Sequence, residues 1–244
     1  MNTKIALITG ASKGIGRACA HAFAANGYSL VITCRSSEKE LLELTNEIID
    51  GYGVDCLPSV GNISDSDYID TLIAETTIRY GHLDILVNNA GVSHIGLLQD
   101  MSIDKWNQLL NTNLTSAFLC CKATIPMMLT QKSGSIINVS SIWGEHGASC
   151  EAAYAATKGA LNSLTKSLGK ELAPSNIRVN AIALGAIKTT MNQFLSDEEY
   201  EALEQEIPLG RFGTPKEAAD LIVDIATNHP YLTAQVITMD GGWM

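Results

Sequence analysis

Along this chain, short and almost continuously apolar runs alternate with longer amphipathic ones. The short runs cover residues 5–9, 30–33, 84–88, 136–139, 177–183 and 235–239, with a weaker one near 54–60. They are rich in β-branched side chains and lack polar alternation, the pattern of strands covered on both faces. Between them, the periodicity predicts helices over 14–26, 38–52, 65–80, 102–129, 152–172 and 215–227. Asp65 and Ser102 can cap, and Pro215 follows Thr214 at a first helical position. Strand–helix alternation of this length predicts an α/β fold: one doubly wound, seven-stranded parallel sheet with helices on both faces. The expected organisation is a single domain over 1–244. The stretch 185–213 breaks the alternation, is polar, and is acidic at 197–206. It is expected to be an irregular substrate lid beside the carboxyl edge of the sheet.

Composition narrows the function. The chain has 244 residues, is 46% hydrophobic and carries a net charge of -10. That charge argues against nucleic acid and against anionic membrane surfaces as partners. No segment approaches the roughly 20 apolar residues of a spanning helix, and the apolar run at 5–8 is too short for a secretory signal core. Six cysteines without a C-x-x-C pair read as free thiols, so a reducing cytoplasm is expected. The five histidines are scattered, so no metal is expected, and no G-x-S-x-G elbow precedes a helix.

Two groups of residues carry chemistry. The first strand runs into Gly10-Ala11-Ser12-Lys13-Gly14-Ile15-Gly16 and then a helix. Gly10 permits a tight turn. Gly14 and Gly16 leave room where backbone must approach a pyrophosphate and where helix meets sheet, and the helix N-terminus offers N–H groups to the phosphates. The second group is Tyr154 and Lys158, four residues apart in a helical segment and therefore on one face. A phenol has a pKa of about 10 and is a poor base near neutrality. A neighbouring ammonium is expected to lower it, making an acid/base for a carbonyl/alcohol pair.

These features, with Asn88-Asn89-Ala90-Gly91, Asn113, Ser141 and the closing Asp240-Gly241-Gly242, resemble the short-chain dehydrogenase/reductase family in order and spacing over essentially the whole chain. The resemblance implies a Rossmann-type fold and an NADP- or NAD-dependent oxidoreductase. It implies catalytic roles for Asn113, Ser141, Tyr154 and Lys158, with Asn113 holding a water beside Lys158. Ser141 is favoured over Ser140, and Asn88 is expected to be structural. The cofactor would lie on Gly10, Ser12, Lys13, Gly14, Ile15 and Gly16, with Asn62 and Ile63 beside the adenine. Asn89, Ala90 and Gly91 would form its floor, Gly185, Ile187 and Thr189 would cover the nicotinamide, and Tyr154 and Lys158 would also bind the cofactor. The second strand ends without an acid, and Arg35 and Lys13 offer cations to a 2′-phosphate, so NADP(H) is expected over NAD(H).

Within the family, the stretch 140–180 and the segment 235–242 look most like bacterial 3-oxoacyl-acyl-carrier-protein reductases. That implies reduction of a 3-oxoacyl thioester and a homotetramer, with faces at 114–129 and 160–172. Sugar, polyol or hydroxysteroid oxidation is the alternative, and a non-catalytic NADP-binding regulator is an alternative of a different class. Two departures stand out. Of the positions that are basic in carrier-protein reductases, here Lys132 and Ser175, one is basic. Leu184-Gly185 replaces the family's Pro-Gly, which is expected to loosen the loop above the nicotinamide.

Overall fold

The computed structural model describes residues 3–192 and 195–244. Strands β1 (Ile5–Ile8), β2 (Ser29–Cys34), β3 (Cys56–Val60), β4 (Ile85–Asn88), β5 (Gly134–Ser141), β6 (Ile177–Leu184) and β7 (Val236–Met239) form one parallel sheet. Its order is β3-β2-β1-β4-β5-β6-β7. The helices between them are α1 (Gly14–Ala25), α2 (Glu38–Tyr52), α3 (Ser66–Tyr80), α4 (Ile103–Leu110), α5 (Ser116–Gln131), α6 (Trp143–His146), α7 (Ala152–Leu172), α8 (Asp197–Glu206) and α9 (Pro215–Thr227). The expected doubly wound α/β architecture is therefore the observed one.

The uniform hydrophobicity of the strands follows from two cores. Ala6 and Ile8 of β1, with Leu30 and Ile32 of β2, pack under Phe23, Leu41, Leu44, Ile48 and Ile222 of α1, α2 and α9. The alternate residues Ile5, Leu7 and Val31 pack on the other face, under Leu72, Met128 and Leu172 of α3, α5 and α7. Each such side chain, fully buried, contributes about 1.5–3 kcal/mol, so a polar residue on either face of these strands would be costly. The weak run near 54–60 is β3, the sheet's edge, where Pro58 is tolerated because one side of the strand needs no ladder donor.

Two expectations about elements are corrected. The single helix over 102–129 is interrupted at Asn111–Thr115 by one π turn, with α4 before it and α5 after it. The inserted residue lets the buried Asn113 side chain leave the helix surface. Its Oδ1 accepts from Val92 N at 2.8 Å, and its Nδ2 donates to Val92 O at 2.9 Å and to Thr157 Oγ1 at 3.1 Å. Nor is 185–213 wholly irregular. Ser196 caps α8 in a reciprocal capping box with Glu199, and the acids Asp197, Glu198 and Glu199 lie in the first turn, where the helix dipole favours them. The S-x-x-E signal was present in the sequence, but the weakly apolar face masked it. Gln193 and Phe194, inside the expected lid, lie outside the described residues, as do Met1 and Asn2. Among the described residues, no helix is long and apolar enough to cross a membrane.

Candidate active site

The strand order turns back on itself between β1 and β4, which opens a crevice at the carboxyl edge of the sheet. A cavity of about 680 Å³ occupies it. Its floor at one end is the turn from β1 to α1. Gly10 and Gly14 adopt φ of +65° and +58°, a region that a side chain would strain. A Cβ added at Gly16 would collide with Gly10 O and Asn89 Nδ2. The loop is tied to β4. Thr9 Oγ1 accepts from the N–H groups of Asn89 and Ala90, both at 3.0 Å. Asn89 Nδ2 donates to Thr9 O at 2.9 Å and to Gly10 O at 3.1 Å. The Asn89 amide therefore braces the glycine turn from behind, rather than only flooring the cavity. Asn88 bonds Asn138 Oδ1 at 2.9 Å inside the sheet, the structural place expected for it.

Beyond the glycine turn, the cavity passes Arg35 at the end of β2, then Asn62 and Ile63 after β3. Asn62 Oδ1 accepts from Ser64 N and Ser64 Oγ, which fixes that turn. A free helix N-terminus, small residues at the loop, two cations and an elongated cleft suit a dinucleotide phosphate. Gly10 and Gly14 test the fit: both line the cavity in left-handed conformations, so backbone and no side chain faces a phosphate there.

At the other end, Tyr154 and Lys158 lie side by side on α7, both buried, with the Lys158 ammonium 5.7 Å from the centre of the Tyr154 ring. Lys158 Nζ donates to Val139 O at 2.8 Å. A Cβ placed on Gly91 would lie 3.7 Å from that Nζ and 3.5 Å from Asn113 Oδ1. Lys158 and Asn113 thus both flank Gly91. Ser141 ends β5, and its Oγ accepts from Trp143 N at 3.2 Å. Ser140 also lines the cavity, and its Oγ donates to Asn162 Oδ1 at 2.6 Å.

The electrostatics correct one expectation. Burial pushes the Tyr154 phenol up to about 12, partly offset by its hydrogen bond with Ser141. Burial pushes Lys158 down to about 8. Desolvation is the largest cause of the rise, and the Glu151 charge adds to it. The phenol is therefore held protonated, the form a reduction needs.

Of the sequence-predicted site residues, all line the cavity except Gly16, which supports the turn, and Asn113, which stands behind Gly91. Trp143, Glu151 and Trp243 also line it and were not foreseen. Glu151 could have been suspected as a charge one turn before Tyr154, but nothing local marks either tryptophan. Trp243 comes from beyond β7 and meets Trp143 edge to face, with ring centres 5.1 Å apart. Leu184, the departure from Pro-Gly, closes β6 in register with Ser141 and Met239. The loop after it is pinned by Gly185 N to Met239 O at 3.0 Å, Lys188 N to Gly213 O at 2.8 Å and Asn192 Nδ2 to Ile187 O at 2.9 Å. Lys132 and Ser175 precede β5 and β6, at the amino edge of the sheet, so within one protomer they are not at the cavity mouth. Among the described residues, no group of three His, Cys, Asp or Glu side chains is placed to hold a metal.

Comparison with known proteins places this geometry in context. A family model described as enoyl-(acyl carrier protein) reductase matches residues 10–244. The 3-oxoacyl-[acyl-carrier-protein] reductase FabG of Staphylococcus aureus is 42% identical over 98% of this chain and 98% of its own. That of Thermotoga maritima is 41% identical, over 98% and 97%. The crystal structure of YwfH, an NADPH-dependent reductase involved in bacilysin biosynthesis, superposes with a TM-score of 0.94 at 25% identity, over 99% of this chain and 98% of that one.

Proposed function

The chain belongs to the short-chain dehydrogenase/reductase family and is an oxidoreductase; from that premise we propose that it uses NADPH to reduce the ketone of a 3-oxoacyl thioester to the secondary alcohol. The observation that carries this reading is the convergence of two hydroxyls, Ser141 and Tyr154, on one wall of a cavity whose far end is the glycine turn. Arg35 and Lys13 beside that turn supply charge-assisted donors for a 2′-phosphate. A nicotinamide cofactor held by the glycine turn and by Gly185, Ile187 and Thr189 would supply the hydride. Ser141 donates to the ketone oxygen and fixes it. Tyr154, kept protonated by burial, delivers its proton to that oxygen as negative charge develops. Lys158, still charged below about pH 8, lies next to the phenol and stabilises the phenolate left behind. Asn113 fixes the Val92 backbone beside this group and stands next to the Lys158 ammonium, where a water can bridge them.

Residues 185–213 serve as the substrate lid: Met191, Asn192, Leu195 and Leu203 line the cavity from that side. Relatives act on carrier-protein thioesters. A net charge of -10 gives this chain no long-range attraction for an acidic carrier, so the thioester itself is the part recognised. A shallow groove between Leu114 and Phe118 on one side and Ala160 and Leu164 on the other, with Phe118 exposed, is the face proposed for homotetramer assembly. Initial rates with acetoacetyl thioesters and either NADPH or NADH test the reading. A preference of at least ~10-fold for NADPH is expected; no oxidation of either cofactor by any 3-oxoacyl thioester overturns it.

A further inference from the structure

The substrate end of the cavity is walled mainly by apolar and aromatic side chains, among them Ile95, Trp143, Leu195, Leu203 and Trp243. Glu151 is the one carboxylate among the described residues that line the cavity. It sits at the N-cap of α7, three residues before Tyr154, and its charge is felt at the Tyr154 phenol. The Trp143 indole lies beside it on the same wall, and Trp243 packs edge to face on that indole, with ring centres 5.1 Å apart. No cation neutralises it: none of the ion pairs among the described residues includes Glu151. Of the cavity's cations, Lys13 and Arg35 stand at the glycine-turn end, and Lys158, beside Tyr154, donates to Val139 O and forms no ion pair with Glu151.

Burial pushes the Glu151 carboxyl above its ordinary range; once ionised above that range, its charge, half-buried against apolar walls, is screened less than it would be in water and repels an anion that enters. A free 3-oxo acid carries its own carboxylate one methylene away from the reacting ketone. Its ester or thioester is uncharged there. Resting on the reductase reading above, we propose that Glu151 is a specificity-determining residue that excludes substrates with a carboxylate beside the reacting carbonyl and so restricts the site to esterified 3-oxo acids. The glutamate does this through its fixed charge and takes no part in the proton transfer.

The test compares acetoacetate with ethyl acetoacetate in the wild type, E151Q and E151D, each first shown to be folded and to bind NADPH. The ratio of kcat/KM values between acid and ester in one protein is divided by that in another, so the ketones' different intrinsic reactivities cancel. E151Q is expected to raise the acid-to-ester ratio by about 10-fold or more, while E151D keeps the wild-type ratio. A ratio in E151Q within about 2-fold of wild type, or an E151D ratio equal to that of E151Q, overturns the inference. Quenching of Trp143 and Trp243 fluorescence by each compound, with NADPH present, reads the same discrimination in binding by the wild type alone. If the wild type turns over neither compound yet binds the ester and not the acid, the charge filter stands and the reductase reading falls. Equal affinities for acid and ester overturn the filter whatever the turnover.

Discussion

The two ends of the cavity are built on opposite principles. At the glycine turn the walls are backbone, small residues and short hydrogen bonds from one neighbouring strand: Gly10 and Gly14 in left-handed conformations, Gly16 with no room for a Cβ, and Asn89 clamped to Thr9 and Gly10. At the catalytic and substrate end, large side chains arrive from far-separated segments, with Trp143 after β5, Glu151 at the N-cap of α7, Tyr154 on α7, Leu203 on α8 and Trp243 beyond β7. The first end can accept only a ligand of fixed shape, because moving any part of it means moving the sheet. The second can change its occupant by exchanging side chains while the backbone stays where it is. One end therefore dictates the cofactor, and the other chooses the substrate.

The sharpest way to separate the ends is to remove the proton donor from one and leave the other intact. Tyr154→Phe is expected to lower kcat by about 10²- to 10⁴-fold, the range associated with a positioned general acid. NADPH affinity, measured by fluorescence titration, should stay within about 2-fold of wild type, since the phenol is not part of the phosphate cradle. If both quantities collapse together, the two ends are not independent and the division above fails.

The next effect belongs to the cofactor end. Arg35→Ala removes one charge-assisted donor, worth about 1.5–3 kcal/mol, and should reduce the NADPH-over-NADH preference by roughly 10- to 150-fold. The readout is kcat/KM for each cofactor at a fixed ketone concentration. An unchanged preference would move recognition of the 2′-phosphate away from the end of β2.

The same division explains what the amino-acid sequence disclosed. The strands were legible because residues such as Leu7, Ile8, Val31 and Ile32 must be apolar on both faces of a covered sheet. The glycine turn was legible because local backbone demands leave few residue choices, and Tyr154 and Lys158 because a four-residue helical spacing is itself geometry. The π turn at Asn111–Thr115 was hidden, since it goes with the paired bonds between the Asn113 amide and the Val92 backbone, contacts made by folding and not by spacing. Trp143, Glu151 and Trp243 were hidden for the same reason: their meeting depends on where distant segments end. The expected direction of the Tyr154 shift failed because sequence can pair a phenol with an ammonium but cannot weigh how deeply both are buried.

A smaller effect follows from that burial. Lys158 is held at about 8, below the ordinary lysine range, by desolvation. Its ammonium is present below that pH and is lost as pH rises through it. Tyr154, at about 12, stays protonated over the same interval. The reductive kcat/KM should therefore be level on the acid side of 8 and fall on the alkaline side, by up to about 10-fold per pH unit. Lys158→Arg, which cannot lose its charge in this range, should retain measurable activity and abolish the fall. A fall that persists in the arginine variant would assign it to another group.

The smallest effect is expected at Leu184, which stands where the family has proline. Proline would fix φ at the end of β6 and remove one backbone donor. On sequence grounds, its absence suggested a loose loop over the nicotinamide and weaker cofactor binding. The loop is held in other ways, through the ladder bond from Gly185 N to Met239 O, the bond from Lys188 N to Gly213 O, and the Asn192 amide on Ile187 O. Leu184 is buried, and its carbonyl accepts from Ile142 N at 3.1 Å, a bond that a proline would keep. Leu184→Pro therefore gains only the entropy of a segment that is already tethered, offset in part by lost packing of the leucine side chain. NADPH should bind tighter by no more than about 3-fold, under 1 kcal/mol. A 10-fold gain in a titration would show that the three tethers leave the loop free to move. A weaker dissociation constant would show that the leucine is needed where it stands, and that this end of the cavity, like the glycine turn, is set by backbone fit.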